Sequence, residues 1–346
     1  MPVNQRIEHI DSIRAIAVLL MVMVHAAATW GPPSTTQPSL LVYIVSGMGG
    51  LAAPLFVAVF GWGCVRGTST AKQRMIRASF FFVAQTAINL SSPHLFEPFS
   101  PGVLTLFGAL ILSQPLWLKP LQINQKNSNG VFLLVLVATL LFATFCSTLM
   151  GPSDWNSRIT TNGVGQWFEH TLLTGTYPVV PWVVFAMLGA WIGVQGGEEK
   201  TFPQSLGSLA LVSGGLACCA FTLAYALHNE LDWAAPTGDA LLTFFPANAP
   251  FLVAAITGVV LIWLIAQNIT ILGLEQLSKR SLSVYLVHFI PIGLFHALDE
   301  SYSFSVWHSM VVIVTYTVVW VPIANAWGRL APRRDIEHAL AWLVKR

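Results

Sequence analysis

Apolar residues run in blocks of about twenty along the chain, separated by short polar joins. Ten blocks can be marked, at about 12–30, 41–66, 75–92, 102–118, 131–150, 178–195, 205–228, 249–267, 281–298 and 308–328. Blocks of this length predict membrane-crossing helices, because about 20 residues at roughly 1.5 Å each match a hydrocarbon core ~30 Å thick. The first is too long, and too polar at its start, for a cleaved signal peptide. The second is over-long and carries Ser-Gly-Met-Gly-Gly at 46–50 and then Pro54, which predicts a broken or partly re-entrant segment. Gly189 and Gly193 have the spacing that lets two helices approach closely. After the last block, IEHALAWLVKR predicts an amphipathic helix on the membrane surface.

Two blocks carry polar stripes. In the first, Arg14 and His25 are eleven positions apart, an advance of roughly 1100°, about 20° past three turns, so both fall on one helical face. They are about 16 Å apart along the axis, with Asp11 one turn before Arg14 on the same stripe. Ionisable groups inside a span are costly and face a bundle interior or a wet cavity, which makes the pair a candidate site. The plainer alternative is that Arg14 snorkels to the surface while His25 makes one interhelical hydrogen bond. In the ninth block Ser281, Tyr285 and His288, spaced four and three, form a second stripe. If both stripes line one cavity, histidines approach it from two sides; otherwise Tyr285 and His288 serve helix packing.

Composition agrees with the blocks. The 346 residues are 55% hydrophobic and 9% charged, with a mean hydropathy of +0.66, the profile of an all-α polytopic membrane protein. With the N-terminus in the cytoplasm, every one of the 17 Lys and Arg residues except Arg158 falls on the cytoplasmic side of the ten blocks. That asymmetry predicts about ten transmembrane helices in a single domain over 1–346, with both termini cytoplasmic, and places the protein in the plasma membrane. Cys64, Cys146, Cys218 and Cys219 sit in apolar runs without metal spacing and read as packing residues. There is no phosphate-binding or dinucleotide glycine pattern, no zinc signature and no nucleic-acid-binding composition, so no metal and no nucleic-acid partner are expected.

The opening HIDSIRAIAVLLMVMVH resembles the first helix of the transmembrane acyltransferase superfamily, which carries an Arg, ten residues and a His. That superfamily groups the acyltransferase-3 proteins with the heparan-α-glucosaminide N-acetyltransferase-like families. APLFVAVFGWG (53–63), YPVVPWVVFAMLGAWIG (177–193) and LSKRSLSVYLVHF (277–289) point the same way, in the expected order. The last two resemble the N-acetyltransferase-like branch more than the acyltransferase-3 branch. Ala15 stands where these families usually have Gly, and Phe60-Gly61 replaces the usual Ser-Gly. Residues 31–39 contain no histidine, so a catalytic role that a related group places in that loop would rest on His25.

The resemblance implies transfer of an acyl group, commonly acetyl from cytoplasmic acetyl-CoA, to a hydroxyl or amine of a carbohydrate or glycolipid acceptor across the bilayer. A hydroxyl is a poor nucleophile until its proton is being removed, and imidazole titrates near neutrality, so His25 suits the base. It could equally carry the acyl group as a nucleophile. Arg14 is expected to orient the donor's thioester or pantetheine arm, or to pair with Asp11 at the cavity mouth. His288 and Tyr285 would stabilise the oxyanion or bind the donor's arm, with Ser281 beside them on the donor side. Arg66, Lys72, Arg74 and Arg77 suit the donor phosphates, although such clusters also simply fix topology.

For the acceptor, the outer loop 151–176 offers Trp155, Asn156, Trp167 and Glu169, and the loop 228–248 adds Glu230, Asp232, Trp233 and Asp239. Aromatic faces beside carboxylates and amides suit a polyhydroxylated ligand, but Trp also populates any membrane interface. His94, His228, His296 and His308 lie near span ends, where solvation is the expectation. A secondary transporter or flippase with Arg14 and His25 along its path is the alternative, weakened by the absence of an internal repeat. Acyl length and oligomeric state, a homodimer included, are left open.

Overall fold

A computed structural model of the chain describes residues 7–31, 40–123, 125–197, 201–203, 205–269, 271, 273–302 and 304–345. Arg6, Lys200, Arg346 and the loop 32–39 lie outside them. The first apolar block forms α1 (Glu8–Trp30), which ends where Gly31 turns extended. It is followed by α2 (Leu40–Arg66) and by α3 (Ala71–Ser91), whose start is fixed by a capping box. There the Thr70 hydroxyl accepts from the Gln73 amide at 3.2 Å, and the Gln73 side chain accepts from the Thr70 amide at 3.1 Å.

Next come α4 (Val103–Leu112), α5 (Gln114–Ile123) and α6 (Ser128–Phe145). Two short helices, α7 (Trp155–Ile159) and α8 (Val164–Glu169), cross the following loop, and a π-turn at His170–Thr174 leads into α9 (Val179–Gln195). Then follow α10 (Leu206–His228) and α11 (Ala249–Ala266), joined by a loop whose Ala234–Ala235 and Leu242–Thr243 pair as a two-residue parallel ladder. The C-terminal third holds α12 (Glu275–Lys279), α13 (Ser281–Val287), α14 (Phe289–Leu294), α15 (Leu298–Tyr302), α16 (Val306–Leu330) and α17 (Ile336–Lys345).

Every apolar block becomes a helix or a pair of helices. Among the described residues, six helices are long and apolar enough to cross a membrane, or up to eight if each bent pair is one span. The two blocks that fall short of the expected ten do so for local reasons. Lys72, Arg74 and Arg77 charge the start of α3, with Gln85 and Asn89 further along, and the ninth block gives only the short Ser281–Leu294 segment, broken at His288.

The break expected in the second block is not where the chain bends. Helix α2 runs unbroken through its glycines and Pro54 for 27 residues. Those glycines serve approach: a Cβ on Gly49 would come 2.9 Å from Val24 of α1, and Gly61 lies against the Ala186 carbonyl of α9. From the other side, Gly189 abuts the Ala58 carbonyl, and a Cβ on Gly193 would sit 3.2 Å from Val65, so α2 and α9 pack backbone to backbone. The real bends lie between α4 and α5 (60°) and between α8 and α9 (49°). Helix α1 is the hub: it contacts α2, α11, α12, α13 and α16, and Ile13, Ala17, Val18 and Val22 on it are fully buried.

Candidate active site

One cavity of about 1370 Å³ runs beside α1, and both Arg14 and His25 line it. Its walls come from α1, α2, α3, α4, α10, α11, α13 and α16 and from the loops at one end, and most of the lining is apolar. Polar groups cluster at its two ends. Where α1, α3 and α13 start and α2 and α4 finish, the wall presents Arg14, Arg77, Ser69, Gln114 and Ser281. At the opposite end it presents Trp155, Tyr177, Asp232, Trp233 and Thr237. His25, near the far end of α1, lies between them.

The stripe expected on α1 is therefore real. Arg14 reaches Asp11 at 3.5 Å, and Asp11 also accepts a hydrogen bond from the Ser278 hydroxyl at 2.9 Å, which ties α1 to α12. The second stripe meets it. His25 Nδ1 lies 2.9 Å from His288 Nε2, the two rings stack at 5.1 Å, and Tyr285 stands edge-on to His25 at 6.4 Å. Phe289 closes over His25 at 4.5 Å between ring centroids. Tyr285 lines the cavity, whereas His288 is fully buried and does not. His288 reaches His25 because α13 stops there. The break is braced from elsewhere in the chain: Tyr316 Oη donates to the His288 carbonyl at 2.5 Å and Ser92 Oγ to the Phe289 carbonyl at 3.3 Å.

The C-terminal helix adds a contact that amphipathic patterning did not reveal. The Glu337 carboxylate accepts from the Leu282 and Ser283 amides at 2.7 and 3.1 Å and from the Ser283 hydroxyl at 2.5 Å, capping α13 from outside its own sequence. Asp335 lies 3.7 Å from buried Arg280, pinning the same junction.

The basic cluster is divided. Arg77 faces the cavity. Arg66 lies over the Trp62 ring at 4.9 Å, Arg74 donates to the Ser69 carbonyl at 2.8 Å, and Lys72 borders a shallow outer groove with Leu343. Sequence reasoning missed Ser69 and Gln114, which bond to each other at 3.3 Å across the cavity's end, because neither lies on an apolar-periodic stripe.

The outer candidates divide as well. Trp155 lines the cavity and packs edge-on to Phe245 at 5.2 Å; Asp232 and Trp233 line it from the second loop. Asn156 and Glu169 are exposed away from it, and Trp167 packs on Phe82 at 5.6 Å. The outer loop is anchored by Arg158, which is 1% exposed and donates to the carbonyls of Met150, Gly151, Thr174 and Gly175 at 2.8 to 3.2 Å. Burial pushes its guanidinium down to about 10. Beside it, the Asp154 carboxylate is held below its ordinary value by the Ser157 amide and hydroxyl. Among the described residues no group of three or more His, Cys, Asp or Glu gathers to hold a metal, and all four cysteines are unpaired.

A cavity with cations at one end, aromatics at the other and an imidazole between can bring two substrates together from opposite sides. Residues 7–325 match the family described as the acyltransferase domain, the acyltransferase-3 branch of the superfamily. No curated protein matches the chain.

Proposed function

The chain belongs to that acyltransferase family, and on this premise we propose that it moves an acyl group, acetyl in the first instance, from cytoplasmic acyl-CoA to a hydroxyl or amine of a sugar-containing acceptor beyond the bilayer. The observation that carries the reading is the single cavity reaching Arg14, His25 and Trp155. In this arrangement both termini are cytoplasmic in the plasma membrane, and α3 and the α13–α14 segment complete ten crossings, partly polar spans being tolerated where they face protein or water.

The donor enters at the cationic end. Arg77 and Arg14 meet its phosphates or the head of its pantetheine arm, with Ser69, Gln114 and Ser281 as neutral partners. The acceptor ring rests against Trp155 and Trp233, with Asp232 taking a hydroxyl hydrogen bond. At the middle His25 removes the acceptor's proton as its oxygen attacks the thioester carbonyl. The new C–O bond forms, the C–S bond breaks, and the departing thiolate takes the proton from the imidazolium, so ester and free CoA are the products. Tyr285, on the cavity wall edge-on to the His25 ring, would donate to the developing oxyanion.

The test is heat-flow titration of acetyl-CoA and CoA into the purified protein in detergent, beside transfer of radiolabelled acetyl to a membrane glycan fraction. Wild type binds both ligands, Arg14→Gln binds them more weakly, and His25→Ala binds them nearly as well as wild type yet transfers nothing. A folded protein that binds neither ligand would overturn the reading.

A further inference from the structure

We propose that His288 is a positioning residue that fixes which nitrogen of His25 carries the proton, leaving His25 Nε2 as the bare base facing the cavity. This rests on the reading of His25 as the base, but the tautomer it asserts can be observed independently of turnover.

The argument starts at the far end of the pair. His288 Nδ1 lies 3.1 Å from the Val284 carbonyl oxygen, which can only accept, so Nδ1 carries a proton. His288 is fully buried, and among the described residues no carboxylate pairs with it, so a second proton would leave an uncompensated charge in an apolar interior. A neutral imidazole with its proton on Nδ1 presents a lone pair at Nε2. That lone pair faces His25 Nδ1 at 2.9 Å, and the contact is attractive only if His25 Nδ1 is the donor. Neutral His25 then has a bare Nε2, and among the described residues no protein group is hydrogen-bonded to that nitrogen. Of the two histidines only His25 lines the cavity, so the ring that meets substrate is the one whose tautomer is dictated from behind.

The chain of bonds is held by backbone. Tyr316 and Ser92 take the carbonyls of His288 and Phe289 at the helix break, while Glu337 caps the start of α13. The break does not loosen the ring: both of its nitrogens are engaged and its carbonyl is tied to another helix. When His25 accepts the substrate proton at Nε2, its Nδ1–H goes on donating to His288, so the imidazolium keeps its partner through the reaction. His288 does not line that cavity and handles no substrate proton.

The experiment is NMR of full-length protein in detergent with ¹³C,¹⁵N-labelled histidine, the His25 signals identified by their loss in His25→Ala. In wild type, His25 should show the Nδ1–H tautomer with an unprotonated Nε2. His288→Gln, whose side-chain oxygen can accept near the place of Nε2, should keep that tautomer; His288→Leu should give a mixture or the Nε2–H form. With saturating donor, turnover should drop at least about tenfold in His288→Leu, since a base held in the wrong tautomer can lose ~10⁴-fold. It should recover to within a few-fold of wild type in His288→Gln, with the donor KM unchanged throughout. An Nε2–H tautomer in wild type overturns the inference even where His288→Leu does not fold, and so does a His25 spectrum unmoved in a folded His288→Leu. If His25→Ala keeps full turnover while the tautomer pattern holds, the base assignment fails and the positioning inference stands.

Discussion

The molecule holds two stacked histidine pairs whose ring geometry is nearly the same. His25 and His288 stack at 5.1 Å and 21°; His94 and His296 stack at 4.9 Å and 22°. Their surroundings divide them. The first pair is joined by a 2.9 Å hydrogen bond and anchored to the Val284 carbonyl, between Tyr285 and Phe289. The second is exposed: besides the stack, His94 meets the Thr29 hydroxyl at 3.4 Å, and His296 bonds back to the Gly293 carbonyl of its own turn. Two imidazoles face to face are not in themselves a catalytic device. A base is made when one ring's nitrogen is committed to a partner that is itself committed, leaving the other nitrogen for substrate.

The sharpest way to break this comparison is to delete one ring from each pair. His25→Ala should lower acyl transfer by about 10²-fold or more, the ordinary worth of a general base, whereas His94→Ala should change it by less than about twofold. Equal losses from the two variants would mean that the pairs are not different in kind. The same distinction between facing the cavity and merely lying near it applies to the cations. Arg77→Gln should weaken acetyl-CoA binding about tenfold or more, the loss of a charge-assisted bond of roughly 1.5–3 kcal/mol. Arg66→Gln, which removes a guanidinium that already lies over Trp62, should leave that affinity within about twofold. Calorimetry on the two variants decides whether Arg77 belongs to the donor end.

Much of this was legible in the chain, and the limit has a physical cause. The 3.6-residue period puts Arg14 and His25 on one face whatever surrounds them, and both do line the cavity. The period also put Tyr285 and His288 on one face, but not the break that parts them from Phe289. That break has its cause just past the stripe, where Pro291 offers no N–H to the Val287 carbonyl, and Ser92 and Tyr316, distant in sequence, brace it. The glycines and Pro54 of α2 pointed to a break that is not there, since close packing against α1 and α9 uses the same residues as a bend would. Among loop residues composition suggested aromatics for an acceptor but could not choose: Trp155 faces the cavity while Trp167 covers Phe82. Loop side chains follow no period, so their aim is a tertiary fact.

A smaller effect tests whether the inner pair depends on its backbone tie. Tyr316→Phe removes the hydroxyl that donates to the His288 carbonyl where the helix breaks. The carbonyl keeps its bond as the N-cap of α14, so the loss is one hydrogen bond of about 0.5–1.5 kcal/mol, and the midpoint of thermal unfolding should fall by a few degrees at most. Acyl transfer should slow several-fold as the ring loses its fixed seat. A variant with wild-type stability and rate would show that the seat of His288 does not depend on the Tyr316 hydroxyl.

The smallest effect belongs to the outer pair and runs through pH. Partial desolvation, and then the charge that His296 would carry, hold His94 below its ordinary 6.5. The unfolded chain regains the ordinary value, so as pH falls below 6.5 it takes up a proton at His94 before the folded protein does, and stability must fall with it. Above that pH both states are neutral at this site and the contribution is constant. Thermal unfolding of wild type and His94→Gln between about pH 7.5 and 5.5 isolates it, because the other histidines titrate in both proteins. The wild-type midpoint should drop further over that interval than the variant's, while acyl transfer at pH 7.5 stays within about twofold. Parallel curves would mean that neither burial nor its neighbour holds His94 below its ordinary value. A collapse of transfer in His94→Gln would instead make the outer pair part of the catalytic apparatus and remove the contrast between the two.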